Sequence, residues 1–291
     1  MTVAELARRV RLVELRARRA SSGVMSGAWH SAFKGRGIEF HEVREYVPGD
    51  DVRAIDWNVT ARAGRPYIKR FAEERDQTVM LLVDASRSNC IPGVSATKSA
   101  LAGELCALLA FAAAGNRDAA GLILFTDEIE LYLPPGRGVA HVLRLIREVL
   151  AFQPRGVGTR IASALEFLAR VQRRRSLVFL ISDFQDRDWE RPLSVAARRH
   201  ELIALPVSDP REQRLPDCGL VAFQDPESGV RFQIDTSDSG VRLEWEAAAR
   251  NRTEGLRSAL RKAGVDHLSV EAGSDYARRL VTFLQTRAKR D

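Results

Sequence analysis

Cysteine is scarce in this chain, whose 291 residues include only three, at positions 90, 106 and 218. Their wide spacing predicts neither a disulfide framework nor a zinc site. Long apolar runs are also missing. The longest, Leu101 to Ala114, contains Glu104 and is shorter than the roughly 18 residues that a membrane span needs. We therefore interpret this run as a buried helix and expect a cytoplasmic protein without membrane insertion.

The sequence motifs of several enzyme classes are absent as well. There is no phosphate-binding P-loop, no Gly-x-Ser-x-Gly, and no Gly-x-Gly-x-x-Gly following a predicted strand. The five histidines are scattered and form no sequence pair. These absences favour a protein that is not an enzyme, with no catalytic residues and no organic cofactor.

Positive charge is concentrated in the first quarter of the chain. The net charge is +7, and residues 1–75 hold 15 Lys and Arg against 10 Asp and Glu. Such a region could meet nucleic acid, anionic lipid or an acidic protein. Because acidic residues are interleaved throughout and no nucleic-acid motif is present, we favour arginine-covered helix surfaces and consider nucleic-acid binding the weaker interpretation.

The chain is organised around an apolar run, Thr78 to Val83, that leads directly into Asp84-Ala85-Ser86-Arg87-Ser88. A short continuous apolar run of this kind is typical of a strand buried on both faces of a parallel sheet. Further runs of the same kind alternate with helical patterns. The predicted strands are 120–125, 177–181, 202–207 and 267–271, and the predicted helices are 95–114, 139–152, 159–173, 189–199, 240–263 and 275–289.

This alternation predicts an α/β fold, a doubly wound and mostly parallel sheet with helices on both faces. Residues 129–133 alternate in polarity and predict an antiparallel edge strand, which Pro134-Pro135-Gly136 should end. We predict that this domain covers residues 76–291 and carries an inserted β-hairpin at about 210–236, with strands at 220–223 and 230–234.

Residues 1–75 are predicted to form a basic N-terminal extension. It opens with an amphipathic helix over 3–20 and includes strands at 38–40 and 66–71. Residues 30–76 mix Arg, Asp, Glu, Trp and Tyr, which are costly to bury without partners. Two interpretations stay open for this stretch: a recognition surface, or a polar network that fixes the extension to the domain.

Oxygen-bearing side chains follow several predicted strands or begin a predicted helix. They belong to Asp84, Ser86 and Ser88, to Thr159, and to the Ser182-Asp183 pair. Ligands of open parallel sheets bind beyond the carboxyl ends of the strands, where these segments should converge. Carboxylates and hydroxyls without sulfur or imidazole suit Mg²⁺, with Mn²⁺ or Ca²⁺ as alternatives. The competing interpretation is that the hydroxyls only cap helices.

These segments resemble known motifs. Asp-x-Ser-x-Ser, followed by a later Thr and a later Asp, resembles the metal-ion-dependent adhesion site of von Willebrand factor A domains. The run Phe-Lys-Gly-Arg-Gly-Ile-Glu-Phe at 33–40 and the run Tyr-x-Pro-Gly-Asp-Asp-x-Arg-x-Ile-Asp-Trp at 46–57 resemble the signature of the bacterial DUF58 family. The segments that begin at Asp209 and Asp225 also look like later parts of that family.

The resemblance implies a von Willebrand A-type fold in a cytoplasmic protein. Members are often encoded beside MoxR-type AAA+ ATPases, in systems thought to assist the maturation or assembly of other proteins. It also implies the metal ligands: the hydroxyls of Ser86, Ser88 and Thr159, with Asp84 and Asp183 coordinating directly or through water.

Two positions depart from the family pattern. Asn89 stands where members often have an apolar residue, and Arg160 stands where they often have Asp. A cation at residue 160 would oppose metal binding unless it is paired, and Asp186 and Asp188 are the expected partners.

Three hypotheses about function follow. The first is a non-enzymatic module that binds a partner's carboxylate through Mg²⁺, uses residues 30–76 as a second contact surface, and acts with a MoxR-type ATPase on an unknown client. The second is a Mg²⁺-dependent phosphohydrolase with Asp84 as nucleophile, although Ser86 stands where such enzymes carry a second acid. The third is nucleic-acid binding through the basic extension. We favour the first.

Overall fold

A computed structural model describes residues 3–21, 24–33, 38–73, 77–86, 98–224 and 230–290 of the chain. Ser88, Asn89 and the first residues of the helix predicted at 95–114 lie outside these ranges. The chain divides into two compact units, residues 1–32 together with 78–291, and residues 33–77. The first 32 residues therefore group with the large unit, whereas we predicted one extension over residues 1–75.

Two helices open the large unit, α1 (Val3–Ser21) and α2 (Val24–Ala32). The sequence predicts the first but not the second. Trp29 of α2 is buried, donates its indole N–H to the Asp118 carboxylate at 3.0 Å, and stacks on Phe179 of the central sheet with ring centroids 5.8 Å apart. Arg16 of α1 forms an ion pair of 2.9 Å with Glu104. These contacts make both helices part of the packed body.

The small unit contains an antiparallel pair of strands, β1 (Ile38–Glu45) and β2 (Tyr67–Glu73). A 3₁₀ turn (Val52–Ala54) and the short helix α3 (Trp57–Ala63) connect them. Gly64 ends α3 in the left-handed conformation, at φ 69°, which favours glycine. The strands were predicted, and the two short helical elements were not.

The large unit is built on one sheet, whose strands are β3 (Thr78–Asp84), β4 (Ala119–Phe125), β5 (Ile129–Gly136), β6 (Leu177–Ser182), β7 (Glu201–Ser208), β10 (Asp266–His267) and β11 (Val270–Glu271). They lie in the order β10-β7-β6-β3-β4-β5, with β11 also paired to β7. Among the strands described, only β5 is antiparallel to its neighbour in this sheet, so the predicted edge strand is confirmed.

Two predictions about strand ends were wrong. The strand predicted at 267–271 is two short segments separated by Leu268 and Ser269. The strand predicted at 129–133 continues through Pro134 and Pro135 and ends at Gly136, because β5 lies at the edge of the sheet, where a proline that lacks an N–H is tolerated.

Helices cover both faces of the sheet, which confirms the predicted fold class. The helices of the large unit that follow β3 are α4 (Lys98–Gly115), α5 (Val139–Ala151), α6 (Ile161–Val171), α7 (Glu190–Arg199), α8 (Pro210–Gln213), α9 (Ser239–Lys262) and α10 (Tyr276–Ala288). One face of the sheet packs α6, α7 and α9 against a core that includes Met80, Leu180 and Leu260. The other face packs α4 and α5, beside α1.

Helix α4 is long and apolar enough to cross a membrane by length and composition, and it is the one such helix in the described ranges. Within the structure 72% of it is buried. This agrees with its interpretation as a core helix.

The predicted hairpin is present as β8 (Leu220–Gln224) and β9 (Arg231–Asp235), which pair antiparallel. Phe223 of β8 stacks on Phe232 of β9 at 5.7 Å and on Trp245 of α9 at 5.9 Å between ring centroids. The hairpin is therefore packed against the long helix that follows it.

Candidate functional site

Asp84 is the last residue of β3, and its carboxylate is nearly inaccessible, at 2% exposure. Its Oδ1 accepts the backbone N–H of Ser86 at 2.9 Å, and its Oδ2 accepts the hydroxyl of Ser182 at 2.6 Å. Burial, followed by the charge of Asp183, raises the pKa of Asp84 to about 6. The carboxylate of Asp84 therefore links the ends of β3 and β6. Keeping this buried carboxylate ionised costs free energy.

Asp183 follows β6 directly, and its carboxylate is held by Lys98, the first residue of α4. The ammonium of Lys98 lies 2.6 Å from Asp183 Oδ2 and 2.7 Å from Glu212 Oε1, and the side chains of Lys98 and Asp183 are both 2% exposed. Burial lowers the pKa of Lys98, but the charges of Asp183 and Glu212 outweigh it, so the pKa is raised. Lys98 is therefore protonated, and one ammonium serves two carboxylates.

Thr159 lies two residues before the first residue of α6 and is half-buried. The N-cap residue of α6, Arg160, gives the helix no side-chain cap. The carboxylate of Asp186 takes this role, because it accepts the N–H of Ile161 at 2.7 Å. Asp186 therefore ties the Thr159 segment to the loop that carries Asp183.

The expected ion pair of Arg160 is not formed. Asp186 uses its carboxylate for the backbone N–H groups of Ile161 and Arg187, at 2.7 and 2.6 Å. Arg160 is exposed, its N–H donates to the carbonyl of Thr126 at 2.9 Å, and its guanidinium has no ion pair within the part of the chain that the structure describes. Its charge is consequently screened by solvent.

A second buried carboxylate shapes the approach to Thr159. Glu130 Oε1 accepts the N–H groups of Arg155 and Gly156, each at 2.8 Å, and the hydroxyl of Thr126 at 3.1 Å. A Cβ at Gly156 would lie 2.1 Å from Asp127 Oδ1 and 2.2 Å from Thr126 Oγ1, so only glycine permits this close approach. No sequence pattern predicts this anchor, since the two N–H groups that Glu130 accepts lie 25 and 26 residues further along the chain.

The loop between β6 and α7 is strained beside the site. Phe184 and Asp188 adopt positive φ angles of 56° and 60°, which are uncommon outside glycine. The N–H of Phe184 donates to Ser182 Oγ at 3.0 Å, while that hydroxyl donates to Asp84. Phe184 also packs edge to face on Trp189 at 5.3 Å. Such strain concentrates at functional sites, where the surrounding structure compensates for it.

The residues present fit a hard cation in their chemistry. With Asp84 ionised, the carboxylates of Asp84, Asp183 and Glu212 outnumber the single ammonium of Lys98 by two charges, and the neighbouring donors Ser86 and Ser182 are hydroxyls. A bound cation would stabilise the ionised form of Asp84, which burial and the charge of Asp183 disfavour. In the described ranges no group of three or more His, Cys, Asp or Glu is arranged to hold a metal, so hydroxyls would have to complete the set.

The structure thus brings Asp84, Ser86 and Asp183 together and ties the Thr159 segment to the Asp183 loop, while Ser88 lies outside the described residues. Ser182 was expected at this edge of the sheet as part of the Ser182-Asp183 pair, and the structure shows its hydroxyl bonded to Asp84. Lys98 was missed as a member of the site. Nothing in the sequence signals Lys98, which lies 85 residues before its partner Asp183.

Comparison with known proteins places these features in a family. The model of the family described as "Protein of unknown function DUF58" matches residues 42–255. The uncharacterized protein Rv1480 of Mycobacterium tuberculosis is 33% identical over 290 residues, which cover 98% of this chain and 90% of that protein. The uncharacterized protein Mb1516 of Mycobacterium bovis matches equally well.

Solved structures resemble this chain more distantly. An aerotolerance-related membrane protein from Bacteroides fragilis is 16% identical, with a TM-score of 0.48, over 74% of this chain and 100% of that chain. A von Willebrand factor type A protein from Catenulispora acidiphila is 13% identical, with a TM-score of 0.40, over 74% of this chain and 42% of that one. The fold assignment therefore rests on the sheet and helices of this chain.

Proposed function

We propose that this chain, which belongs to the DUF58 family by a model match over residues 42–255, is a non-enzymatic protein-interaction module. Its strand-end site binds a carboxylate of a partner protein through Mg²⁺. Asp84, Ser86, Ser88, Thr159 and Asp183 hold the ion, with Ser182 fixing the orientation of Asp84.

The observation that carries this proposal is the excess of negative charge buried at the ends of β3 and β6. Asp84 and Asp183 are both nearly inaccessible, and Lys98 is the cation paired with Asp183 and Glu212. A bound Mg²⁺ would supply the positive charge that a partner's carboxylate needs in order to approach such a site. The hydroxyls contribute no charge, so the ion keeps affinity for a further anionic ligand.

The phosphohydrolase alternative is disfavoured by the environment of Asp84. A nucleophilic carboxylate must reach its substrate, whereas this side chain is 2% exposed and both of its oxygens accept hydrogen bonds. The same buried arrangement suits a residue that holds an ion in place.

The partner that the family resemblance favours is a MoxR-type AAA+ ATPase, acting with this protein in the cytoplasm on an unknown client. Residues 30–76 provide a second contact surface in this proposal. The support for that surface is Trp57, which is 70% exposed and is therefore available to a partner.

The test is capture of a purified MoxR-type ATPase by the 291-residue chain, in Mg²⁺ and in EDTA, compared with an Asp84→Asn variant. We expect capture in Mg²⁺ only, and at least a tenfold loss in the variant. The matched control is Asp217→Asn, because that carboxylate is 65% exposed in the same unit. Metal-independent capture that Asp84→Asn leaves unchanged contradicts the proposal.

A further inference from the structure

Helix α1 carries apolar side chains on two opposite sides, and only one side packs against the protein. Val13 and Ala17 are each 4% exposed, on the side where α1 contacts α4 and α5. Leu12 and Leu15 are 49% and 56% exposed. The packing of α1 on the large unit therefore does not account for these two leucines.

Three exposed arginines flank the leucines: Arg8, Arg11 and Arg19. At 3.6 residues per turn, positions 8, 11, 12, 15 and 19 fall within an arc of about 100°, opposite to the packed side of the helix. Glu5 is exposed on the same side. This face of α1 therefore presents three guanidinium groups against one carboxylate, around an apolar centre that water reaches.

The excess of positive charge extends beyond this face. Together α1 and α5 contain eight arginines and three glutamates, a net charge of +5 out of +7 for the whole chain. Two of the three glutamates are already ion-paired, Glu14 with Arg18 and Glu148 with Arg147. Four of the arginines form no ion pair within the described ranges: Arg8, Arg9, Arg11 and Arg144.

An anionic lipid bilayer would satisfy both parts of this surface. Leucine side chains lose contact with water at the boundary between head groups and acyl chains, while guanidinium groups pair with the lipid phosphates. A nucleic acid would pair with the arginines but leave both leucines in water, and α1 has no aromatic side chain on which a base could stack. The same lack of aromatic residues removes the usual anchors of a protein interface.

We propose that α1 binds the surface of an anionic phospholipid bilayer. Leu12 and Leu15 enter the boundary between head groups and acyl chains. Arg8, Arg11 and Arg19 bind phosphates around them. The helix lies in the plane of the bilayer surface and does not cross it, because its other side stays packed on α4 and α5.

This surface is separate from the strand-end site. The guanidinium carbon of Arg18 lies 5.1 Å from the ring centroid of Phe111, in the second half of α4. Lys98, which belongs to the strand-end site, is the first residue of that helix. At 1.5 Å per residue, Lys98 and Phe111 are about 20 Å apart along α4. The inference therefore depends on neither the proposed metal nor the proposed ATPase.

The first test is co-sedimentation of the 291-residue chain with vesicles of equimolar phosphatidylglycerol and phosphatidylcholine, and with vesicles of phosphatidylcholine alone. We expect at least tenfold tighter binding to the anionic vesicles. Arg8→Gln/Arg11→Gln should weaken that binding about 25-fold, since each arginine near an anionic surface contributes about fivefold. The control is Arg191→Gln/Arg198→Gln, at exposed positions of α7 on the opposite face of the sheet, with an expected change below threefold.

The second test concerns the leucines. Leu12→Gln/Leu15→Gln keeps the charge and the helix propensity of α1, and it should weaken binding to the anionic vesicles at least tenfold. Leu220→Gln/Leu243→Gln is the control, because these leucines are 67% and 64% exposed outside α1, and it should change binding less than twofold.

Hydrogen exchange locates the contact without any substitution. When the parent chain is bound to anionic vesicles, the amides of residues 5–19 should exchange at least threefold more slowly, because the bilayer shields α1 from water and from opening. The amides of residues 190–199 in α7 should exchange at an unchanged rate.

Equal binding to both kinds of vesicle, or unchanged binding in either α1 variant, would overturn the inference. Binding of a 20-base-pair DNA duplex that Arg8→Gln/Arg11→Gln weakens, without binding to anionic vesicles, would overturn it in favour of nucleic acid. Failure of the proposed function is distinguishable, because it would abolish the Mg²⁺-dependent capture of the ATPase and leave vesicle binding intact in the parent chain and in Asp84→Asn.

Discussion

The carboxylates of the small unit and those at the strand ends differ in how far along the chain their partners lie, although Asp84 and Asp183 also accept local N–H groups, from Ser86 and Gln185. In the small unit Asp51 and Asp56 accept N–H groups two or three residues away, and Asp50 pairs through both oxygens with Arg44, six residues away. At the strand ends, Asp84 accepts a hydroxyl from a residue 98 positions away, and Asp183 is paired with an ammonium 85 positions away.

This difference separates carboxylates that stabilise local backbone structure from carboxylates whose burial costs free energy. A carboxylate that accepts local N–H groups lowers the free energy of a turn or a helix start. Buried carboxylates that outnumber their cation raise the free energy of the folded state. Proteins retain such costs where binding requires them. The network interpretation of residues 30–76 is thus favoured for Asp50, Asp51 and Asp56.

The largest effect is expected from removing the cation of the strand-end site. Lys98→Met should lower the free energy of unfolding by about 3–5 kcal/mol, because it leaves Asp183 buried without its ammonium. Urea denaturation of the full chain at pH 7 measures this loss. Lys262→Met, at the exposed end of α9, is the control. The double variant Lys98→Met/Asp183→Asn should recover much of the lost free energy of unfolding. A loss below about 1 kcal/mol in Lys98→Met would remove the contrast between the strand-end site and the small unit.

The sequence was sufficient for the parts of this contrast that depend on local pattern. Apolar runs predicted each long strand, and Asp84 and Asp183 were placed at strand ends because polar residues follow those runs directly. Lys98 could not be predicted, since its role exists only where α4, the Asp183 loop and α8 meet. Helix α2 was missed because it is short and contains Gly27, and the left-handed Phe184 has no signal in its own side chain.

An intermediate effect is expected from neutralising Asp84. Its pKa is raised from 3.8 to about 6, so the folded state binds this proton more tightly than the unfolded state does. Stability from this group is therefore present at low pH and is lost as pH rises between about 4 and 6, by up to about 3 kcal/mol. Asp84→Asn should remove that loss and, in EDTA at pH 8, be more stable than the parent chain by about 1–2 kcal/mol, after about 1 kcal/mol for a weakened hydrogen bond.

Thermal and urea unfolding from pH 4 to pH 8, with Asp217→Asn as control, measure the difference between the two proteins. Mg²⁺ should reverse its sign at pH 8, because an ion that binds only the folded parent stabilises it by mass action. Equal pH profiles for parent and variant would mean that Asp84 titrates normally, and the strand-end carboxylates would then resemble those of the small unit.

The smallest effect is expected in the small unit itself. Asp56 is buried at the start of α3 and accepts the N–H groups of Asn58 and Val59, at 3.0 and 3.3 Å. Asp56→Ala should cost about 1 kcal/mol, the usual value of a lost N-cap, and should leave the Mg²⁺ response of the chain unchanged. Hydrogen exchange of the amides in residues 57–63 should become about fivefold faster, since local opening becomes easier by that amount.

Trp57→Ala, at a side chain that is 70% exposed, should leave the exchange of the same amides unchanged and serves as the control. If Asp56→Ala instead abolished the Mg²⁺ response without changing exchange in α3, its carboxylate would belong with Asp84 and Asp183, and the division between folding and functional carboxylates would fail at that residue.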